Sequence, residues 1–170
     1  MARIYIVGAP GSGKSFIAKR LAAQLDIPWY DLDSDALYQL APDDRDILYD
    51  RVRIEDAWIC EAVALGLHRK WVHEADLVIV LVTPRIYRIL RIFLRALLKG
   101  LGIRFPGQEG AETWAALRYR LRETWYYQER YGQPFIHECG MYRDRIFSFS
   151  NNIHAQKWIF DNVRRLQNTF

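Results

Sequence analysis

The chain has 170 residues, 51% of them hydrophobic and 14% aromatic, with two cysteines and a formal net charge of +4. That is enough chain for one domain with its own core, and no uncharged apolar run reaches the 18 residues of a membrane-spanning helix. The charge is mild and suits an anionic small molecule without requiring nucleic acid, while Cys60 and Cys139 lack metal-ligand spacing and fit free thiols in a reducing cytoplasm.

The first element is a β-prone run, Arg3-Ile4-Tyr5-Ile6-Val7, expected as a strand over 3–7. Directly after it stands Gly8-Ala9-Pro10-Gly11-Ser12-Gly13-Lys14-Ser15, a complete G-x-x-x-x-G-K-[ST] loop. Its glycines let backbone N–H groups turn inward around phosphate oxygens. Lys14 can reach the β- and γ-phosphates and the Ser15 hydroxyl can ligate Mg²⁺. Phe16, Ile17, Leu21, Ala22 and Leu25 then recur at helical spacing. They predict a helix over 14–25 whose positive dipole end lies under the anion, with Phe16 also counted in the phosphate site. No N-terminal targeting signal is expected before a loop that begins so early.

A second strand is expected over 28–32, closed by Asp31-Leu32-Asp33-Ser34-Asp35. The carboxyl ends of parallel strands face the ligand crevice. Asp33 or Asp35 can therefore hold Mg²⁺ through water or orient an acceptor hydroxyl; alternatively, Ser34 or Asp35 caps the following helix. Helices are expected in parts of 34–54. A third strand over 57–60 ends at Glu61. An acid at such a strand tip accepts a hydrogen bond from metal-bound water or takes a proton, whereas at a helix start it only complements the dipole. A helix over 67–74 leads to the continuously apolar strand 76–82, the pattern of a strand covered on both faces.

Arg85, Arg88, Arg91, Arg95 and Lys99 recur three or four residues apart on a helix expected over 85–99. This basic ladder reads in three ways: guanidinium groups facing phosphates, an interfacial membrane helix, or a solvated face. Arg88 matters less than Arg91 or Arg95 if it sits on the outer part of the face. The breaker-rich stretch 99–110 reads as a mobile loop. Helices over 112–131 and 153–167, with a strand over 145–149 between them, complete the chain. Ile153, Ile159, Val163 and Leu166 line one side of the last helix. The aromatic residues between 114 and 131 serve either helix packing or base stacking. Strands alternating with helices define an α/β fold with a mostly parallel sheet.

These residues resemble the small P-loop kinases of the adenylate kinase and shikimate kinase group over nearly the whole chain. Beyond the loop, the resemblance is carried by Ile27-Pro28 followed by Asp33 and Asp35. Trp58-Ile59-Cys60-Glu61 resembles the adenylate-kinase-related "DNA topology modulation" proteins most closely, with Ala62 where those relatives have Gly. The resemblance implies a three-layer fold, a five-stranded parallel sheet in the order 2-3-1-4-5, a helical lid near 96–111 and an acceptor-side segment near 34–56. It implies ATP and Mg²⁺ as cofactors, a small-molecule phosphoryl acceptor, and a cytoplasmic monomer or homodimer with no membrane partner. Arg91 and Arg95, seven and eleven residues after Pro84, are then expected to contact the nucleotide and the transferred phosphate. Ser150, Asn151 and Asn152 are expected beside the base, with Asn151 as the contact. Lys14, Glu61, Asp33, Asp35, Arg91 and Arg95 form the expected catalytic set. Ser15, Glu61 and Asp33 are the expected metal-side residues. No N-K-x-D motif marks a GTPase. A nucleotide-binding regulator acting on DNA or a protein partner is the alternative.

Overall fold

The computed structural model describes residues 2–63, 69–103, 114–127 and 144–167, apart from the side chains of Asp35, Tyr38, Arg69, Ala116 and residues 163–167. Five strands form one parallel sheet: β1 (Arg3–Gly8), β2 (Trp29–Asp31), β3 (Trp58–Ala62), β4 (Leu77–Leu81) and β5 (Ile146–Phe149). Their order is β2-β3-β1-β4-β5, as the resemblance implies. The chain leaves β1 toward one edge and later returns to the other side of it, so β1 lies at the point where the order reverses. Ligands of open α/β sheets bind in the crevice beyond the strand ends at that point.

The three central strands, β3, β1 and β4, are buried on both faces because helices cover both. On one face Ile4 and Ile6 of β1 and Ile59 of β3 pack with Ile17 and Leu21 of α1 (Lys14–Leu25) and with Ala155 and Ile159. The latter two belong to α7 (Asn152–Gln167). On the other face Tyr5, Val7, Trp58 and Cys60 pack with Val52 of α3 (Pro42–Arg53) and Trp71 of α4 (Arg69–Glu74). Trp58 and Trp71 meet edge to face at 5.2 Å, a geometry that the ring quadrupole favours. The two-residue period of β3 therefore turns Glu61 toward α1, on the side of Ile59, and Ala62 toward the opposite core.

The 34–54 stretch holds two helices, α2 (Asp35–Tyr38) and α3. Pro42 opens α3, Asp43 and Asp44 lie in its first turn, and Arg51 and Arg53 in its last, all complementary to the helix dipole. Arg53 pairs with Glu74 and so ties α3 to α4. The arginine ladder lies on α5 (Arg85–Gly100), which packs against α6 (Trp114–Tyr127).

Three expectations shift. The breaker-rich stretch does not begin at 99, since α5 runs through Gly100 and closes with Ile103 N–H donating to the Leu98 carbonyl. The expected lid therefore begins as regular helix, and its 104–111 portion lies outside the described residues. Glu61 is not beyond β3 but within it, buried. Ile153 does not share the inner side of α7: it is 72% exposed, while Ala155 and Ile159, four apart, are buried. Among the described residues, no helix is long and apolar enough to cross a membrane.

Candidate functional site

The loop between β1 and α1 is held open by its backbone. Gly11 and Gly13 have φ of +78° and +94°, values that L side chains rarely adopt. Packing also excludes a side chain at both. A Cβ on Gly11 would lie 2.7 Å from the Arg88 carbonyl oxygen, and one on Gly13 would overlap Asn152 Nδ2. Ser12 N–H donates to the Ala9 carbonyl at 3.0 Å, which folds the loop back on itself.

Glu61 is fully buried. Its Oε2 accepts the Ser15 hydroxyl at 2.8 Å, across the gap between β3 and the first turn of α1. Its Oε1 is buried without a hydrogen-bond partner. Burial raises its pKa to about 7, although Lys14 and the Ser15 hydroxyl favour its charged form; Asp31 and Asp33 push the same way as burial. The β2–β3 register sets Asp31 directly opposite Glu61. Burial raises the Asp31 pKa as well, against Lys14 and a bond from Asp33 N–H. Lys14 thus serves two carboxylates at the strand ends. Asp31 is a site neighbour that sequence reasoning left as a strand terminus; its register with Glu61 was the missing information.

Asp33 lies beside them, and its Oδ2 accepts the N–H of Val63, just past β3. Asp35 opens α2 two residues on. Tyr5, in the core below, has its pKa raised by burial and by the nearby Asp33. Phe16 places its ring in solvent, so only its backbone is available to the loop.

The ladder splits. The Arg91 guanidinium is on the loop, where Nη1 donates to the Ser12 carbonyl at 3.1 Å and to Gly11 at 3.3 Å. Arg95 is half-buried one turn beyond. Arg88 does not sit on the outer part of the face. It is the buried arginine, 2% exposed, with Nε and Nη1 lacking hydrogen-bond partners. Burial lowers its pKa. Its guanidinium stacks over the Tyr127 ring at 5.5 Å. Tyr127 in turn donates to the Val63 carbonyl at 2.7 Å, and buried Thr124 faces the Pro10 carbonyl at 3.4 Å. α6 therefore turns Arg88 inward, between the loop and the end of β3. Sequence spacing placed these arginines on one helix face but could not say that the neighbouring helix covers that face.

Asn151 and Asn152 make different contacts. Asn151 is exposed, and its Oδ1 accepts the N–H of Ile153 at the start of α7. Asn152 Nδ2 donates to the Ser12 carbonyl, and its Oδ1 accepts the Thr83 hydroxyl at 3.2 Å. Asn152 and Thr83 thus brace the loop from behind, and nothing local in the sequence distinguishes Asn152 from its neighbour.

A magnesium ion in complex with a nucleotide keeps several waters and takes only one or two protein oxygens. The Ser15 hydroxyl and the orphaned Glu61 Oε1 fit that requirement. Among the described residues, no three His, Cys, Asp or Glu side chains form a metal cage.

No protein-family model and no curated protein matches the chain. Solved structures do. The chain is similar to a shikimate kinase from Acinetobacter baumannii in complex with shikimate, with TM-score 0.55 and 14% identity, over 99% of this chain and 94% of that one. An uncharacterized protein from Eubacterium ventriosum gives TM-score 0.56 and 14% identity, over 96% and 99%. A shikimate kinase from Bacteroides thetaiotaomicron gives 0.51 and 17%, over 99% and 97%. The chain has the α/β fold of these two shikimate kinases, a five-stranded parallel sheet with helices on both faces.

Proposed function

We propose that this protein is an ATP-dependent phosphotransferase that moves the γ-phosphoryl group to a hydroxyl of a small molecule. The observation that carries this reading is the Ser15–Glu61 hydrogen bond beside a glycine-held phosphate loop, with one carboxylate oxygen of Glu61 left buried and unpartnered. Backbone amides of residues 9–15 receive the phosphates, and Lys14 neutralises their charge. Ser15 would ligate Mg²⁺, and Glu61, with Asp33 near, would hold its coordinated waters. Bound there, Mg²⁺ would neutralise charge on the phosphate oxygens. Asp33 orients the acceptor hydroxyl and receives its proton, with Asp35 as the alternative carboxylate. Arg91, Arg95 and the buried Arg88 face the phosphates. A planar guanidinium with two vacant N–H groups matches two oxygens of one phosphoryl group.

A kinase of this kind works in the ATP-rich cytoplasm, in keeping with the free buried thiol of Cys60. A regulatory role on DNA or a protein rests on the Trp58-Ile59-Cys60-Glu61 pattern alone, and we do not adopt it. Ala62, which stands in that pattern for Gly, turns its methyl into the α3–α4 core rather than toward Ser15. The deciding experiment incubates the purified protein with Mg-ATP and a panel of nucleosides, nucleoside monophosphates, sugars and hydroxy acids. Acceptor-dependent ADP release, with the phosphorylated product identified by mass, is the expected result. No ADP release from any acceptor, together with no calorimetric ATP binding, would overturn the reading.

A further inference from the structure

Helix α5 is turned the wrong way round for a monomer. Its charged side faces the protein: Arg88 is buried, Arg91 lies on the phosphate loop, and Arg85 stacks over Trp125 at 4.8 Å. Its apolar side faces out. Ile86, Leu90, Phe93, Leu94, Leu97 and Leu101 are each between 51 and 70% exposed. At roughly 100° per residue these six fall within an arc of about 100°, opposite Arg88 and Arg95. At about 120 Å² apiece, they present on the order of 700 Å² of contiguous apolar surface. That exceeds the ~300–600 Å² patch of a typical monomer and approaches the ~800 Å² per partner of a standard interface.

We propose that α5 is a homodimer interface, in which the outward stripe of one chain packs against the same stripe of a second copy about a two-fold axis. The spacing points to a helix as the occupant. Ile86, Leu90, Phe93 and Leu97 recur at four, three and four residues, the seam of a helix that buries itself against another helix. A two-fold interface is self-complementary, and an apolar stripe free of charge meets its own copy without repulsion. A lipid surface fits less well. Interfacial helices carry cations beside the apolar face to reach anionic headgroups, whereas here Arg85, Arg88 and Arg91 are engaged with the protein interior or with α6. The inner face of the same helix reaches the phosphate loop, so dimerisation would hold the element that carries Arg88 and Arg91. The proposal does not depend on the phosphotransferase reading.

Sedimentation velocity from about 1 to 100 μM reads the outcome directly. The parent chain should move from the 20.1 kDa monomer to twice that mass. Leu90→Glu combined with Leu97→Glu should weaken association at least 100-fold. Both positions are solvent-exposed, so the circular dichroism spectrum and melting temperature should hold, which separates lost association from lost folding. Leu94→Cys, midway along the length of the stripe, should form an intermolecular disulfide under mild oxidation beyond any given by the parent. A monomer at all concentrations overturns the proposal. So does a dimer unaffected by the double glutamate variant, or a monomer that instead binds phosphatidylserine vesicles.

Discussion

Ser15 donates its hydroxyl hydrogen to Glu61 Oε2 at 2.8 Å, and so joins the first turn of the helix after the phosphate loop to the strand beside it. The bond holds a carboxylate that water does not reach. A buried carboxyl group at the end of a parallel strand is expensive to ionise. Here its cost is lowered by Lys14 and kept by the lack of any partner on Oε1.

That cost sets a pH dependence. With a folded-state pKa of about 7 against an ordinary 4.5, Glu61 keeps its proton in the folded chain while the unfolded chain releases it. Stability of the ligand-free protein therefore falls as pH rises from about 4.5 to 7 and levels off above, by on the order of 3 kcal/mol. Asp31, raised by burial, contributes in the same direction. Glu61→Gln should match the parent near pH 5 and exceed it near pH 8 in urea denaturation. The same change should lower kcat about 100-fold while nucleotide affinity stays within a few-fold. A variant with normal turnover would move the catalytic carboxylate to Asp33 or Asp35.

Lys14 is the charge that both strand-end carboxylates share. Lys14→Ala should cost nucleotide binding or turnover roughly 2–4 kcal/mol, some 30- to 1000-fold. Titration calorimetry with Mg-ATP measures the binding part. Unchanged affinity and turnover in a folded variant would remove the phosphate-loop assignment.

Arg88 and Arg91 of α5 should separate by stability rather than by turnover. Arg91→Ala and Arg88→Met should each lower kcat by about 10² at saturating substrate. Arg88→Met should also leave the fold as stable as the parent or more so. It replaces a buried guanidinium, with two N–H groups lacking partners, by an apolar chain of similar length. Arg91→Ala, on an exposed residue, should change stability by less than about 1 kcal/mol. Full turnover in Arg88→Met would show that Arg88 serves packing against Tyr127 alone.

Asn152 and Asn151 differ in what each removal leaves behind. Asn152→Ala strips the loop of its bond to the Ser12 carbonyl and leaves Thr83 without that acceptor. It should weaken ATP binding about tenfold, in line with one or two lost hydrogen bonds. Asn151→Ala removes a bond at the start of α7, costing about 1 kcal/mol of stability and little affinity. A tenfold affinity loss from Asn151→Ala would support it as the base contact.

The glycine-rich loop was legible because its motif is local: Gly8 through Ser15 carry the glycines, the lysine and the hydroxyl within eight residues. The strands around it were legible for the same reason. Continuous apolar runs such as Leu77–Leu81 report burial on both faces, and alternating strands and helices imply a parallel sheet. Other features depend on residues distant in the chain. The opposition of Asp31 and Glu61 is a matter of register between strands 30 residues apart. The choice of Asn152 over Asn151 is made by Ser12 and Thr83, from two other segments. The same applies to the arginine ladder. Helical periodicity gives α5 two faces, one basic and one apolar, and ordinary amphipathic logic sends the apolar one inward. Only the packing of α6 and the phosphate loop reverses it: Arg88 and Ile92 are the buried residues of α5, Arg91 reaches onto the loop, and the leucines are left in solvent.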